Sequence, residues 1–355
     1  MNSLTSERIA AIDKSSMLER VLAMPRHFED ALASAQKNGF NLPGFRPNGI
    51  VVAGMGGSAI SGDVVRGVTL EELAVPMIVC RSYDLPSWVD TNSLVVVSSY
   101  SGNTEESLAA LMLAQKRSAR IVCITSGGKV GELAQKNGWP VYSLPPGFPP
   151  RAALAHLTVP LLVVLHRLQR IADPAAQVAE TNTILEKLGQ SWGPQFDEQH
   201  NLAKYIAAAL TDRLPIVYAA HGLFEIAAWR WKEQFCENAE ILSWHNVFPE
   251  MNHNELMGWG QRLQSDHGLQ VIYLRDRQDH PRVQKRMEIT RELIEKTSVP
   301  VIEAWSEGQS RLARLFSLIF LGDLVSVYVA ILSGVDPTPV RKINLLKERL
   351  EQFKS

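Results

Sequence analysis

The glycine-rich segment G-M-G-G-S-A at residues 54–59 has the composition of an anion-binding loop. Glycines let the backbone approach an anion closely, and a helix that begins here adds free N–H groups and the positive end of its dipole. We therefore take Gly56, Gly57 and Ser58 as candidate ligands of a phosphate group. The segment also fits the G-x-G-x-x-A pattern of dinucleotide-binding folds, in which Arg81 would serve the extra phosphate of NADP. A tight turn without a ligand is the third interpretation.

A second polar loop, S-S-Y-S-G-N-T-E-E at residues 98–106, contains three more candidate phosphate ligands, Ser99, Ser101 and Thr104. One hydroxyl group is enough to cap a helix, whereas this loop offers several. With Ser58 they would surround one small dianion with neutral donors, while helix N-termini supply the positive potential. This arrangement suits a phosphomonoester better than a pyrophosphate. Simple N-capping by Ser101 and Thr104 is the alternative.

Glu237 is the candidate catalytic base. It lies at the end of a predicted helix, off the apolar stripe that marks the buried face of that helix. A carboxylate beside the negative end of a helix dipole is disfavoured as an anion, which favours a proton-accepting role. The alternative is a solvated surface glutamate, the usual fate of this residue type. The stripe consists of Phe224, Ala228, Trp231 and Phe235.

His253 is the candidate proton shuttle, because a neutral imidazole can carry a proton near pH 7. It lies in the polar segment P-E-M-N-H-N-E at residues 249–255, between hydrophobic stretches. A helix-capping loop is one alternative. A metal site made of His245, His253 and Glu255 is another, although no pair of these residues has an established ligand spacing.

Two cations complete the set of candidates. Arg151 follows a proline-rich segment and would lie at the N-terminus of the next helix, where a positive charge is mildly unfavourable. This placement points to a function, whereas an ordinary boundary arginine is the alternative. Lys347 lies in the last predicted helix, close to Lys342, and its alternative is a solvated helix face.

Short apolar runs that alternate with helix-length segments must position these residues. Such alternation predicts βαβ units and parallel sheets buried on both faces, hence a doubly wound α/β fold. The segment Ser3–Lys37 has a helical pattern interrupted near Pro25, and a C-terminal helix is predicted from Arg341 to Phe353. Strands are predicted at Ile50–Ala53, Pro76–Cys80, Leu94–Val97, Ile121–Ile124, Ile216–Tyr218, Val271–Leu274 and Pro300–Ile302, and helices at Thr104–Gln115, Ala152–Leu168 and Leu223–Phe235.

The proline-rich segment P-P-G-F-P-P at residues 145–150 is the clearest break in the chain. This break and the length of 355 residues predict two similar α/β domains, at residues 1–150 and 151–355. After its first strand, the second half has A-A-H-G at residues 219–222, with no G-G-S segment and no cluster of hydroxyl groups. Only the first domain is therefore expected to bind phosphate.

Composition argues against several classes of function. The chain has 36 Lys and Arg against 37 Asp and Glu, so its net charge of −1 does not favour nucleic-acid binding. Cys80, Cys123 and Cys236 form neither a disulfide framework nor a C-x-x-C zinc pair. The longest apolar run, Leu315–Leu332, is interrupted by polar residues and predicts a buried helix, not a membrane span. The N-terminus lacks an apolar signal core, so a cytoplasmic protein is expected.

The two polar loops resemble those of the sugar isomerase (SIS) domain. From about Ile50 to its C-terminus, the chain is most similar to the bifunctional phosphoglucose/phosphomannose isomerase family, which has two SIS domains in tandem. The segments that narrow the resemblance to this family are Pro150-Arg151, Glu237-Asn238, N-H-N-E at residues 252–255, and the tail D-P-T-P-V followed by L-K, from Asp336 to Lys347.

This resemblance implies a role for each candidate. The glutamate of the family's E-N segment is the base, and Glu237 matches it. The family's N-H-N-E histidine, here His253, opens the sugar ring without a metal. Arg151 would lie beside the developing enediolate, Lys347 would reach the active site, and Thr338 is a weaker candidate. The resemblance also implies a homodimer in which the partner subunit contributes the histidine loop.

The prediction is therefore a metal-independent isomerase without a cofactor. It would interconvert glucose 6-phosphate and mannose 6-phosphate with fructose 6-phosphate through a cis-enediol. Both aldoses give the same enediol if the site lets the C2–C3 bond rotate. Three alternatives are an SIS isomerase or aminotransferase of another sugar phosphate, a non-catalytic sugar-phosphate sensor, and an NADP-dependent oxidoreductase. A sensor of this type usually has a DNA-binding or inhibitory partner domain, and no basic helix-turn-helix is visible. An oxidoreductase leaves the serine loop unexplained.

Overall fold

The computed structural model describes residues 4–37, 42, 44–260 and 268–353, and these form two parallel β-sheets with helices on both faces. The predicted α/β fold is confirmed. The central strands are buried along their whole length, which explains why they appear in the sequence as continuous apolar runs and not as alternating patterns.

The first sheet has five parallel strands in the order β2-β1-β3-β4-β5. All four strands that apolar runs predict are present. The edge strand β5 escapes prediction, because its three residues form no apolar run. The strands are β1 (Gly49–Ala53), β2 (Met77–Cys80), β3 (Ser93–Ser98), β4 (Arg120–Thr125) and β5 (Val141–Ser143), and the helices between them are α4 (Gly56–Val68), α5 (Glu105–Lys116) and α6 (Gly128–Asn137).

The N-terminal segment is helical but has an additional break. The carboxylate of Asp13 accepts hydrogen bonds from the N–H groups of Met17 and Leu18, both at 2.8 Å, and so begins a new helix. Pro25 lies in the first turn of the third helix, where a missing N–H group is tolerated. The predicted start at Ser3 lies outside the described residues. The helices are α1 (Ser6–Ile12), α2 (Met17–Leu22) and α3 (Met24–Lys37).

The second sheet has four parallel strands in the order β7-β6-β8-β9. Three of them are expected from apolar runs. The edge strand β7 has the sequence W-H-N-V-F, and its two polar residues hide it from a search for such runs. The strands are β6 (Leu214–Ala220), β7 (Trp244–Phe248), β8 (Leu269–Arg275) and β9 (Val301–Trp305).

Long helices join the two sheets through one core. The largest hydrophobic cluster contains Ile50 of the first sheet and Val217 of the second. Helix α3 packs directly on the helix that begins after residue 153. Helix α4, which follows β1, packs directly on the helix that follows β6. The remaining helices are α7 (Leu154–Arg167), α8 (Ala175–Trp192), α9 (Leu202–Ala209), α10 (Leu223–Asn238), α11 (Pro281–Glu295), α12 (Arg311–Leu332) and α13 (Arg341–Glu351).

Helix α12 is the central core helix, as its apolar sequence predicts. Among the described residues it is the one helix whose length and composition would suffice to cross a membrane, and its apolar window is wholly buried inside the fold. Gly322 makes room for a neighbour, because a Cβ atom there would overlap the indole ring of Trp231. The indole nitrogen donates a hydrogen bond to the carbonyl oxygen of Leu318 at 2.7 Å. The tight contact locks α10 against α12.

Two buried histidines lie together under a cavity of about 660 Å³ between α3 and α7. The rings of His27 and His156 have centroids 4.9 Å apart, and the ring of Phe148 lies against both. Burial lowers the pKa of both histidines, that of His156 to about 4, and the neighbouring His27 adds to the shift at His156. Both rings are therefore neutral at pH 7.

This neutral pair makes the fold sensitive to acid. The pKa of His156 is lower in the folded chain than in the unfolded one, so the unfolded chain binds the proton first as the pH falls below about 6.5. We expect His156 to remove about 3 kcal/mol of stability between pH 6.5 and pH 4, and nothing above pH 7. Urea unfolding at pH 7, 5 and 4 measures this, and His156→Phe should lose less stability over that range. Equal losses in both proteins would contradict the prediction.

Candidate active site

The two polar loops meet at the point where the strand order of the first sheet reverses. Strands β1 and β3 are parallel neighbours, with β2 on one side and β4 on the other, so their carboxyl ends open on the same crevice. The loop after β1 and the loop after β3 touch there, because the N–H group of Tyr100 donates a hydrogen bond to Ser58 Oγ at 3.2 Å. The sequence prediction of one shared site for both loops therefore fits the topology.

The hydroxyl groups of three candidate ligands gather between the starts of α4 and α5. Ser58 and Ser99 are buried, and Ser99 Oγ donates to Thr104 Oγ1 at 3.2 Å. Thr104 occupies the N-cap position of α5, yet its side chain makes no capping hydrogen bond, and no side chain caps α4. Ser101 lies on the exposed side of its loop, where Oγ accepts from the N–H group of Asn103 at 3.3 Å. The hydroxyl cluster is thus more than a set of helix caps.

Glycines are required where the loops pack tightly. Gly102 has φ +69°, and a Cβ atom there would overlap the carbonyl oxygen of Gly127. At Gly57 a Cβ atom would lie 3.0 Å from the carbonyl oxygen of Pro150 and 3.4 Å from the Cα atom of Arg151. The glycine loop therefore lies directly against the segment that carries the arginine.

Arg151 is the centre of the candidate site. Its side chain is buried and donates to Asn238 Oδ1 at 2.6 Å and to the carbonyl oxygens of Pro337 and Thr338 at 2.6 and 2.9 Å. Burial lowers the pKa of Arg151, and the negative charge of Glu237 opposes that shift. Three segments that are distant in sequence therefore meet at one guanidinium group.

Glu237 completes this centre from the last turn of α10. Its Oε2 atom lies 3.5 Å from Nη1 of Arg151, and 29 % of its side chain is exposed. Unlike a fully solvated surface glutamate, Glu237 is partly buried and pairs with a buried arginine. The carboxylate therefore contacts the arginine that lies against the glycine loop, and part of it stays exposed.

A buried ion pair that the sequence analysis did not identify holds the backbone of Arg151 in place. Arg230 of α10 and Asp323 of α12 form a two-pronged pair at 2.9 and 2.7 Å, and Arg230 also donates to the carbonyl oxygen of Arg151 at 2.7 Å. Asn238 is fixed in turn by a hydrogen bond to Ser326 Oγ at 2.8 Å. The sequence does contain a signal, because an aspartate inside a long apolar helix needs a buried partner.

Removing one member of this pair should destabilise the fold strongly. Asp323→Ala leaves the buried Arg230 cation without its carboxylate, which is expected to cost about 3–5 kcal/mol. Urea unfolding monitored by tryptophan fluorescence measures the loss. The exposed pair of Lys285 and Glu288 is the matched control, and Glu288→Ala should leave the unfolding midpoint almost unchanged. A loss at Asp323 as small as the control would contradict the assignment.

The structure does not bring His253 into this centre. It lies exposed in the turn after β7, and no hydrogen bond or ion pair of His253 occurs within the described residues. The turn itself is held firmly. Asn252 donates to Thr290 Oγ1 at 2.9 Å, while Glu255 accepts from Asn246 at 2.6 Å and from the hydroxyl group of Tyr218. A rigid loop therefore presents an exposed imidazole.

The alternative of a metal site at this turn finds no support. His245 stacks on the indole ring of Trp229, with centroids 6.1 Å apart, and Glu255 is occupied by Tyr218 and Asn246. In the part of the chain that the structure describes, no three His, Cys, Asp or Glu side chains are grouped closely enough to hold a metal ion.

Lys347 also lies away from the arginine centre. It belongs to α13, and every residue of that helix is exposed in the single chain. Lys342, at the start of the same helix, pairs with Glu240 at 3.1 Å. The helix is amphipathic, and its exposed apolar residues include Ile343, Leu345, Leu346 and Leu350.

The second sheet has no equivalent of the phosphate crevice among the described residues. Strand β8 occupies the position that β3 has in the first sheet, but the residues after it include Asp276 and Asp279 in place of serines. Asp276 is paired with Arg314 at 2.6 Å, and burial raises the pKa of Asp279 to about 6. Carboxylates there would repel a phosphate group, in agreement with the expected asymmetry.

Arg81 is not available for the NADP phosphate that the dinucleotide alternative requires. Its guanidinium group forms an ion pair with Asp63 of α4, and it lies 4.3 Å from the ring centroid of Trp229 on α10. The side chain of Arg81 therefore contacts both halves of the molecule, Asp63 in the first and Trp229 in the second.

The chain is similar to known proteins along most of its length. Residues 199–350 match the family model described as the bacterial phospho-glucose isomerase C-terminal SIS domain. A bifunctional phosphoglucose/phosphomannose isomerase of Caldicellulosiruptor bescii is 41 % identical over 338 residues, covering 95 % of this chain and 100 % of the relative. The enzyme of the same name from Aquifex aeolicus is 36 % identical, covering 86 % of this chain and 91 % of the relative.

A solved structure supports the fold independently of sequence. A hypothetical protein from Thermus thermophilus superposes with a TM-score of 0.75 over 98 % of this chain and 92 % of that chain. The two sequences are only 14 % identical. At that level the similarity concerns the arrangement of strands and helices alone.

Proposed function

The chain belongs to the bifunctional phosphoglucose/phosphomannose isomerase family, and we propose that its active site is the centre formed by Arg151 and Glu237 beside the two polar loops. It is an isomerase of that family and acts on hexose phosphates. The observation that carries the site assignment is the 3.5 Å contact between Arg151 and Glu237 directly against the glycine loop.

The crevice between β1 and β3 binds the phosphate group. Gly56 and Gly57 supply backbone N–H groups at the start of α4, and α5 begins on the opposite side with its own uncapped N–H groups. Hydroxyl groups donate the remaining hydrogen bonds, so a dianion is held without a lysine. The proposed hydroxyl donors are Ser58, Ser99, Ser101 and Thr104.

Glu237 moves the proton and Arg151 stabilises the charge. The carboxylate of Glu237 takes the proton from C2 of the open-chain aldose, and the C–H electron pair forms the C1–C2 double bond of an enediolate. Arg151, a buried cation beside Glu237, stabilises the negative oxygen. The proton of the C2 hydroxyl group then passes to the C1 oxygen, Glu237 returns its proton to C1, and the C2 oxygen becomes the carbonyl oxygen of the ketose. Base and cation both come from side chains, so the proposed reaction uses no metal and no cofactor.

The same base serves both aldoses. Glucose 6-phosphate and mannose 6-phosphate differ only in configuration at C2, and removal of the C2 proton erases that difference. Rotation about C2–C3 then lets Glu237 deliver its proton to either face. One proton-transfer centre with a fixed phosphate therefore accounts for two activities.

We place the catalytic unit in a homodimer. His253 would open the ring in the site of the partner subunit, since within the described residues it is exposed and makes no hydrogen bond or ion pair with the Arg151 centre. Large apolar side chains of this region are also exposed, among them Leu242 before β7 and Met257 in the turn after it. Lys347 would reach a site through α13, whose exposed apolar side needs a covering surface.

The proposal includes a cytoplasmic location and two domains, with phosphate bound by residues 1–150 and the base supplied by residues 151–355.

The test is isomerisation of fructose 6-phosphate by the purified chain after treatment with EDTA. Glucose 6-phosphate and mannose 6-phosphate are quantified separately by coupled assays. Formation of both without added metal is the expected result. A chain that binds fructose 6-phosphate but forms neither aldose would be a sensor or an isomerase of another sugar, and the proposed roles of Glu237 and His253 would fall.

A further inference from the structure

Glu233 is a carboxyl group near the proposed site that the mechanism above does not use. It lies one helical turn before Glu237 on α10, so the two side chains share a face of the helix. Other residues of that face contact the first half of the molecule. Ile226 lies against α4, where a Cβ atom on Gly67 would be 2.6 Å from its Cδ1 atom, and Arg230 donates to the carbonyl oxygen of Arg151.

Along α10, Glu233 lies between two residues that contact the first half of the molecule. Trp229, one turn earlier on α10, lies under the guanidinium group of Arg81 from the first half. Glu237, one turn later, pairs with Arg151. Glu233 therefore lies on the face of α10 that packs against the first half, one helical turn from the proposed proton-transfer centre.

Glu233 has no hydrogen bond or ion pair within the described residues. The arginines near it are already occupied, because Arg81 pairs with Asp63 and Arg230 pairs with Asp323. Its side chain is partly buried and its carboxyl oxygens remain open to solvent, so they are free to bind a ligand. The sugar that occupies this crevice brings several hydroxyl groups.

Burial raises the pKa of Glu233, and the negative charge of Glu237 raises it further. The charges of Arg230, Arg81 and Lys232 act in the opposite direction. The net shift of the Glu233 pKa is upward, and the protonated form of a carboxyl group can donate as well as accept a hydrogen bond.

We propose that Glu233 is a substrate-binding residue whose carboxyl group hydrogen-bonds the C3 or C4 hydroxyl group of the sugar chain and keeps C1 and C2 in register with Glu237. This role rests on the proposed function, since it requires a hexose phosphate in the crevice. It makes Glu233 a determinant of the hydroxyl pattern that the enzyme accepts.

Substitution separates this role from a structural one. Glu233→Gln keeps both the donor and the acceptor and should leave KM for fructose 6-phosphate within about twofold. Glu233→Ala and the volume-preserving Glu233→Leu should raise KM by about fivefold to tenfold, with a smaller change in kcat. Glu288→Gln on the outer face of α11 is the matched control. An unchanged KM in the Leu variant, or a Gln variant as impaired as Leu, overturns the proposal.

Deoxy substrates identify the hydroxyl group. With wild-type protein, either 3-deoxy- or 4-deoxy-glucose 6-phosphate should lose about fivefold to tenfold in kcat/KM, and Glu233→Leu should lose nothing further with that analogue. If the substitution lowers kcat/KM for both analogues as much as it does for the parent sugar, Glu233 binds neither group and the proposal is wrong.

Turnover by wild type tests the proposed function separately. If turnover is absent, calorimetric binding of fructose 6-phosphate to wild type and Glu233→Leu still decides the role of Glu233.

Discussion

Glu237→Gln is expected to lower kcat for the formation of both glucose 6-phosphate and mannose 6-phosphate by about a hundredfold to ten-thousandfold. The amide has the shape of the carboxylate but cannot accept a proton from carbon. It also cancels the ion pair that holds Arg151 and Glu237 at 3.5 Å. Both products should fall together, because one base serves both epimers.

Binding should survive this substitution. The proposed phosphate ligands lie on the loops after β1 and β3, and their described hydrogen bonds do not involve Glu237, so affinity for fructose 6-phosphate should stay within a few-fold. Calorimetry measures the affinity, and exchange of the C1 and C2 protons in deuterated water measures the chemical step without coupling enzymes. Glu240→Gln, three residues further along and exposed, is the control. Loss of one aldose with retention of the other would mean two separate bases.

The meeting of the two polar loops could be predicted from the sequence, because each loop is one continuous segment. A glycine loop and a hydroxyl loop each follow an apolar run, and the parallel pairing of β1 and β3 then brings their ends together. The edge strands β5 and β7 were not accessible, because one is too short and the other too polar to form an apolar run. Edge strands are less enclosed than central ones, so their sequences are less constrained.

The contact of Arg151 with Glu237 could not be deduced from local pattern. The two residues lie on different elements, and only the packing of α10 against α12 and α4 brings them together. The resemblance to the family supplied both candidates but no geometry. The ion pair of Arg230 and Asp323, which supports this contact, joins α10 and α12. No periodic pattern in the sequence predicts that these two helices pack together. Here tertiary packing, not propensity, decides the site.

His253 and Lys347 are the opposite case, since their motifs identified them and the single chain leaves both exposed. A site split between subunits resolves this conflict and has a decisive consequence. In a dimer of one Glu237→Gln subunit and one His253→Gln subunit, one site receives intact Glu237 from the second subunit and intact His253 from the first. The other site receives both substitutions. Each mutant homodimer, by contrast, has two damaged sites.

The doubly tagged heterodimer should therefore regain about half of wild-type activity, although each parent homodimer is nearly inactive. Co-expression with two affinity tags yields the heterodimer, and light scattering should give twice the chain mass of 39.4 kDa.

A heterodimer of Glu237→Gln with Arg151→Ala is the control. Both of these residues belong to the same chain's centre, so each of its sites has one damaged member and activity should stay low. If the first heterodimer is equally inactive, His253 acts within its own subunit. In that case the loop after β7 would have to move toward Arg151, against the hydrogen bonds that Asn246, Tyr218 and Thr290 form with it.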